Sequence, residues 1–282
     1  MRMIRTAALS DTPRLKEIWQ ICFGDPERYI DFFFQNAFHP EQTLVWEEDG
    51  TVCAMFFLLD CSVWAGGSEV PAAYLYAAAT MPAYRSRGIM GRMIRYAADF
   101  VSSCGYGGIV LVPAEPGLFD YYGRFGFRTC FYDAVEDIVP ERDPIDSAGL
   151  GIAPTDFSTL ERLRRAVVQE NGGVMWNGVQ FDYALREHLF TGGRIFQTQD
   201  GYAMYHCTAD VCTVDELIAL PGRMGIFHRA LFEEVPAARF RIVHPCGKEW
   251  GARPRGMFWD LNHKLSGACA PEGCPYIGLT LG

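Results

Sequence analysis

The most constraining feature of this sequence is a turn that is rich in arginine and contains glycine, between an apolar run and an amphipathic segment. Residues 72–80 are almost wholly apolar, and Gly105 closes the segment that follows the turn. Between the turn and Gly105, apolar residues recur at three- and four-residue steps, which predicts a helix with one apolar face. A buried strand that leads through a tight turn into such a helix is typical of α/β domains. The turn itself reads Tyr84-Arg85-Ser86-Arg87-Gly88-Ile89-Met90-Gly91-Arg92.

The turn has the composition of an anion-binding site. The first backbone N–H groups of a helix have no partner within the helix, and the helix dipole makes that end positive. A phosphate or pyrophosphate group can accept those hydrogen bonds. Gly88 allows the backbone to approach a ligand closely, and Arg85 and Arg87 add charge and paired donors. The alternative is an ordinary strand-to-helix turn with solvated arginines.

The order of the predicted elements divides the chain in two. Residues 1–138 predict helices, an antiparallel meander and a strand–helix–strand crossover. Residues 139–154 contain three prolines and two glycines and are typical of a linker. Residues 155–282 repeat the order of helices, meander, helix and strand. We therefore predict an α/β protein of two related domains, each a mixed, mostly antiparallel central sheet flanked by helices.

Two segments carry a resemblance to a known family. The turn, preceded by Leu75-Tyr76-Ala77-Ala78-Ala79-Thr80, resembles motif A of the GNAT family of N-acetyltransferases, whose pattern is Gln/Arg-x-x-Gly-x-Gly/Ala. Arg85 and Gly88 match this pattern, and Met90 departs from its last position. A larger apolar residue is common there in the Eis-like branch. The segments Pro113-Ala114-Glu115 and Tyr121-Tyr122-Gly123-Arg124-Phe125-Gly126-Phe127 resemble motif B of that branch, which also has a second GNAT-like domain.

The resemblance implies acetyl-coenzyme A as co-substrate and assigns residues to it. The backbone of Ala77, Ala78 and Ala79 would pair with the pantetheine arm as an added strand would. Tyr122 would lie near the thioester and protonate the departing thiolate; the alternative is a core aromatic. The N–H groups that would hold the pyrophosphate belong to Arg85, Ser86, Arg87, Gly88, Ile89 and Met90.

The general base has two candidates. In Eis-like enzymes the carboxylate at the end of the chain reaches the active site, and here that would be Gly282. The apolar segment 275–282 could also simply pack as a strand. Glu115, acting through water, is the alternative base, although it could equally be a solvated loop carboxylate.

The expected activity is transfer of an acetyl group from acetyl-coenzyme A to a primary amine of a small molecule or peptide. The amine would attack directly in a ternary complex. Two rivals are a transferase that uses another donor, such as an aminoacyl-tRNA, and a non-catalytic acyl-coenzyme A sensor or scaffold. The resemblance also suggests a homo-oligomer, because Eis-like relatives assemble.

Composition excludes several other classes. The net charge of −9 argues against a nucleic-acid partner, which would need a basic face. No apolar run is long enough to span a membrane and no signal peptide is recognisable, so we expect a cytoplasmic protein without a membrane partner. The six histidines and ten cysteines show no ligand spacing, so no metal site is predicted.

Overall fold

The computed structural model describes residues 2–140, 154–245, 253–263 and 275–281. The chain divides into two units, each with its own internal contacts. The first unit consists of Met1–Ser62, Val70–Arg128 and Met257–Ser266. The second unit consists of Val63–Glu69, Thr129–Gly256 and Gly267–Gly282.

Seven helices and twelve strands are formed within the described residues. The helices are α1 Thr12–Phe23, α2 Glu27–Asn36, α3 Ile89–Ser103, α4 Gly117–Gly123, α5 Phe157–Asn171, α6 Gly178–Phe190 and α7 Met224–Glu234. The first six strands are β1 Arg2–Thr6, β2 Thr43–Glu48, β3 Thr51–Ala65, β4 Ser68–Thr80, β5 Gly108–Leu111 and β6 Arg128–Ile138. The others are β7 Gly173–Trp176, β8 Arg194–Gln197, β9 Gly201–Thr208, β10 Val211–Ala219, β11 Arg239–Pro245 and β12 Arg253–Asp260.

The sheet of the first unit has the order β1-β2-β3-β4-β5-β12, with Met257–Asp260 of β12 pairing with β5. Neighbours β1 and β2, β2 and β3, and β5 and β12 run antiparallel, whereas β4 and β5 run parallel. Parallel strands need a crossover connection, and α3 provides it between β4 and β5. This strand–helix–strand unit carries the predicted turn at its strand-to-helix end.

Helix α3 holds the crossover against the sheet through one apolar face. Ile89, Met93, Ala97 and Val101 are buried at four-residue steps, as the periodicity predicts. Tyr96, which the same periodicity places on that face, is instead 41% exposed. The buried residues run from one end of α3 to the other and pack against the sheet, so they fix the first turn of the helix relative to β4.

The sheet of the second unit has the order β6-β11-β10-β9-β8. Strands β8, β9 and β10 form an antiparallel meander, β11 runs parallel to β10, and β6 runs antiparallel to β11. Helix α7 makes the crossover between β10 and β11 and buries Phe227, Ala230 and Leu231. The second unit thus repeats the parallel pair and crossover helix of the first.

Two predicted segments differ from the structure or lie outside it. Most of the predicted linker 139–154 lies outside the described residues, which resume at residue 154. The prediction places residues 129–138 in the first domain, whereas the division into units assigns them, as part of β6, to the second. None of the helices in the described ranges is both long and apolar enough to cross a membrane.

Candidate active site

A divergence between β4 and β5 opens the first unit beside the predicted turn. The parallel register joins Ala72 with Gly108 and ends at Tyr74 with Val110, while β4 continues to Thr80. Within this continuation Ala77 has a φ of 50°, in the left-handed region that alanine rarely occupies. A residue in this region interrupts the regular alternation of side chains along a strand. Beyond Tyr74, the edge of β4 is not paired with β5 in this register. An extended ligand could hydrogen-bond to this edge.

The predicted turn adopts a conformation that exposes backbone N–H groups. Ser86 has a φ of 62° and Gly88 a φ of 68°. Gly88 is the residue before α3 and supplies no side-chain cap, so the first N–H groups of the helix lack an acceptor there. A Cβ added at Gly88 would meet nothing within 4 Å, so the space beside this backbone is open. These features suit a diphosphate.

Three arginines lie in the turn, and each donates a hydrogen bond to a backbone carbonyl oxygen in the turn or shortly before it. Nε of Arg85 donates to the carbonyl oxygen of Thr80 at 3.0 Å, and a terminal nitrogen of Arg87 donates to that of Ala83 at 2.8 Å. Arg92 donates to the carbonyl oxygen of Arg87 at 3.0 Å. A guanidinium has five N–H donors, so each retains others for a ligand.

The charge of these arginines is uncompensated. Within the described residues, no carboxylate forms an ion pair with Arg85, Arg87 or Arg92. The guanidinium of Arg92 lies 4.7 Å from the ring centroid of Trp46, in a cation–π contact that also fixes its position. In a chain with a net charge of −9, the turn is a local positive site. The sequence indicates the positive charge but not the part played by Arg92, because its contact with Trp46 is not local.

Tyr122 lies on α4 and is 8% exposed. Its ring packs on Phe127 at 5.7 Å and belongs to one apolar cluster with Ile89, against which Ala78 and Met90 also pack. The edge of β4, the start of α3 and Tyr122 therefore lie around the same apolar cluster. Within the described residues no hydrogen-bond partner of the Tyr122 hydroxyl is found. Burial raises the pKa of Tyr122 to about 12, with Tyr121 as a smaller cause.

The remaining predicted site residues have different surroundings. Ala79 is buried and Ala77 and Ala78 are half-buried, whereas Arg85, Ser86, Arg87 and Gly88 are exposed. Glu115 is exposed in the loop that precedes α4. Gly282 lies outside the described residues, and the segment before it, which is described to Leu281, is largely buried.

Two histidines that show no ligand spacing in the sequence lie close together in the structure. His188 and His206 lie beside Asp215 in the second unit, with a metal-ligating atom of each within 4.8 Å of the others. The three residues come from a helix and two strands, so no local spacing in the sequence predicts that they lie together. They are separate from the turn and Tyr122, which belong to the first unit.

Residues 3–130 match the family model of the acetyltransferase (GNAT) domain. This part of the chain is a GNAT acetyltransferase domain. The match contains the strand edge, the turn and Tyr122, so the family assignment and the site geometry concern the same residues. The GNAT family uses acetyl-coenzyme A as acetyl donor. No curated protein matches the sequence significantly.

Solved structures extend the similarity of fold beyond the GNAT domain to the rest of the chain. Eis1 of Mycobacterium abscessus matches with a TM-score of 0.74 at 16% identity, over 95% of this chain and 76% of that one. A GCN5-related N-acetyltransferase of Anabaena variabilis matches with a TM-score of 0.73 at 18% identity, over 93% and 73%. The corresponding enzyme of Kribbella flavida gives 0.71 and 16%, over 92% and 70%. The predicted fold class, with two GNAT-like domains, is confirmed.

Proposed function

We propose that the chain transfers the acetyl group of acetyl-coenzyme A to a primary amine of a small molecule or peptide, by direct attack in a ternary complex. The observation that carries this proposal is the juxtaposition of an uncapped, arginine-rich helix start with a buried tyrosine whose hydroxyl has no protein partner within the described residues. The two features supply separate functions, one for holding the donor and one for the chemistry.

The donor would be held by three elements of the GNAT domain. The N–H groups from Arg85 to Met90 would bind the pyrophosphate, and the free donors of Arg85 and Arg87 would add charge-assisted hydrogen bonds. The backbone of Ala77, Ala78 and Ala79 would bind the pantetheine arm as a strand edge binds an extended peptide. When bound, acetyl-coenzyme A supplies an activated thioester.

Tyr122 would act as the proton donor. Because its pKa is about 12, the phenol stays protonated at physiological pH and can hydrogen-bond to the sulfur. It would pass this proton to the thiolate as the carbon–sulfur bond breaks. For the removal of the amine proton we propose the terminal carboxylate of Gly282, with Glu115 acting through a water molecule as the alternative.

The domain arrangement is part of the same proposal. Residues 1–138 would form the active domain and residues 155–282 a degenerate, second GNAT-like domain, joined by residues 139–154. The second half departs from motif A at the crossover of β10, α7 and β11, where no Arg-x-x-Gly turn precedes the helix. We therefore propose that only the first crossover binds the donor.

The test is a thiol-release assay with acetyl-coenzyme A and a panel of primary amines, combined with calorimetry of coenzyme A binding. We expect coenzyme A to bind and at least one amine to release thiol steadily above the rate of hydrolysis. Binding without release from any amine would instead support a non-catalytic acyl-coenzyme A sensor. Absence of binding would contradict both functions.

A further inference from the structure

The second unit contains a cluster of two imidazoles and one carboxylate that has no part in the proposed transfer. His188 lies on α6, His206 on β9 and Asp215 on β10. Nδ1 of His206 is 2.8 Å from Oδ2 of Asp215, and Nδ1 of His188 is 3.9 Å from the same oxygen. The two rings lie 4.6 Å apart at an angle of 72°. One carboxylate oxygen thus faces a nitrogen of each imidazole.

The ring of His188 is fixed in the orientation that a metal ligand needs. Its Nε2 lies 3.0 Å from the carbonyl oxygen of Arg194, which can only accept a hydrogen bond. Nε2 therefore carries the proton and Nδ1 keeps its lone pair on the side of Asp215. Histidine ligands commonly donate their second ring N–H to a carbonyl in this way. Gly193 leaves room for this ring, because a Cβ at its position would lie 2.3 Å from Nε2.

The position of Asp215 is a consequence of a β-bulge. In the antiparallel register of β9 and β10, Val214 pairs with Tyr205 and Glu216 with Met204, which leaves Asp215 as the extra residue. Both of its neighbours on β10 are buried, while the Asp215 side chain is 45% exposed. A bulge bends the strand locally and redirects a side chain. Here it directs the carboxylate to His206 and His188.

The cluster is closed on one side and open on the other. The side chain of His188 is 7% exposed, that of His206 35% and that of Asp215 45%. The exposed side leaves room for water molecules to complete a coordination shell. Two imidazoles with one carboxylate are a donor set for zinc and other first-row transition metals, whereas magnesium and calcium prefer oxygen ligands alone.

We propose that His188, His206 and Asp215 form a binding site for one divalent first-row transition metal ion. The site is independent of acetyl transfer, and the proposal would survive a failure of the function proposed above. Three ligands from α6, β9 and β10 would also connect the helix to the meander, so occupancy should stabilise the second unit.

Calorimetric titration of the full chain with Zn²⁺, without an affinity tag and after treatment with a chelator, tests the site. We expect one ion to bind per chain. Loss of a partner outside the first coordination shell costs about 10- to 100-fold in metal affinity, so removal of a ligand in His206→Ala should weaken binding by about 100-fold or more. The thermal unfolding midpoint should rise with Zn²⁺ for the parent chain and stay unchanged for His206→Ala.

Two matched variants distinguish this site from other zinc-binding groups. His39→Ala removes an exposed histidine that pairs with Glu41 in the first unit, and it should leave the titration unchanged. Cys207→Ser removes the exposed thiol next to His206, and unchanged binding would exclude ligation by this thiolate. Cobalt substitution should give an absorption spectrum without the strong charge-transfer band of a thiolate ligand.

The unfolding curve of each variant without metal shows whether it folds. If His206→Ala does not fold, Asp215→Asn makes the same test with a side chain of equal size. The proposal is wrong if the parent chain binds no Zn²⁺, or if a folded variant of His206 or Asp215 binds Zn²⁺ as tightly as the parent chain does. One ion per chain that both substitutions weaken would establish the site.

Discussion

Nε of Arg164 donates to Oε1 of Glu216 across 3.0 Å, and both side chains are almost wholly buried in the second unit. The two terminal nitrogens of Arg164 donate to the carbonyl oxygens of Val174 at 2.7 Å and Ile277 at 2.8 Å. The other carboxylate oxygen of Glu216 accepts from the backbone N–H of Leu279. This ion pair therefore ties helix α5 and strand β10 to the segment that ends the described chain.

Replacement of Arg164 with methionine should destabilise the protein strongly, because it leaves the carboxylate of Glu216 buried without its cation. The expected loss in the free energy of unfolding is about 3–5 kcal/mol. Urea denaturation measures it. Arg186→Met is the matched control, since Arg186 pairs with Asp182 on the surface of α6 and should cost less than about 1 kcal/mol. Equal losses of unfolding free energy in the two variants would contradict the claim that burial makes the Arg164–Glu216 pair costly to break.

Tyr122→Phe should lower kcat about 10²- to 10⁴-fold and leave the affinity for coenzyme A unchanged, because only the proton donor is removed. Steady-state kinetics and calorimetry measure the two quantities. Tyr121→Phe, which alters the neighbouring, half-buried phenol, is the control and should retain kcat. Since the pKa of Tyr122 is about 12, the proton is lost only as the pH rises towards that value. We therefore expect no decline in kcat from this group around neutral or mildly alkaline pH.

Removal of Gly282 from the 282-residue chain should lower kcat about 10²-fold or more if its carboxylate is the general base. The carboxylate of the shortened chain would end one residue earlier and could not take the same position. Glu115→Gln is the matched variant, and we expect it to keep most of the activity. The reverse result, a large loss in Glu115→Gln and full activity in the shortened chain, would assign the base to Glu115.

His228 should make the second unit sensitive to acid. Burial lowers the pKa of His228 from 6.5 to about 4 in the folded chain, with His244 as a smaller cause. Between those values the unfolded chain binds more protons than the folded chain, so stability falls as the pH drops from about 6.5 to about 4. His228→Gln should lose less stability over this interval than the parent chain does. Urea denaturation at several pH values measures the difference, and parallel curves would contradict the prediction.

Gly88→Ala should weaken coenzyme A binding about tenfold or more. The left-handed φ of Gly88 costs a residue with a side chain about 1–2 kcal/mol, so the turn would relax away from the conformation that presents its N–H groups. Calorimetry measures the affinity. Gly225→Ala is the control, because Gly225 lies on α7 with open space around it and should not affect binding.

Local patterns predict much of this fold. The apolar periodicity of α3 and the turn at Gly88 are properties of adjacent residues, and both are found where the sequence places them. The predicted order of helices, meander, helix and strand after residue 155 is also found in the described residues, with the short strand β7 and strand β12 in addition. In each case turn residues or an apolar period define the element without help from distant parts of the chain.

Features that depend on distant contacts escape the same reasoning. Strand β7 is a short apolar run, and its Gly173 forms a parallel bridge with Tyr276. No pattern in the sequence predicts this pairing. The apolar segment 275–281, which could have been a strand, instead makes one bridge and is held by Arg164 and Glu216. The histidine cluster depends on a bulge at Asp215, and a one-residue irregularity between strands has no signature in composition or spacing.

The left-handed φ of Ala77 has a consequence for how the donor would be received. A non-glycine residue in this region costs roughly 1 kcal/mol or more relative to a regular strand, and the surrounding fold has to supply that energy. The cost is therefore incurred once, during folding, before any ligand arrives. The irregular strand edge is preorganised, so this part of the backbone would not have to be ordered again when the donor binds.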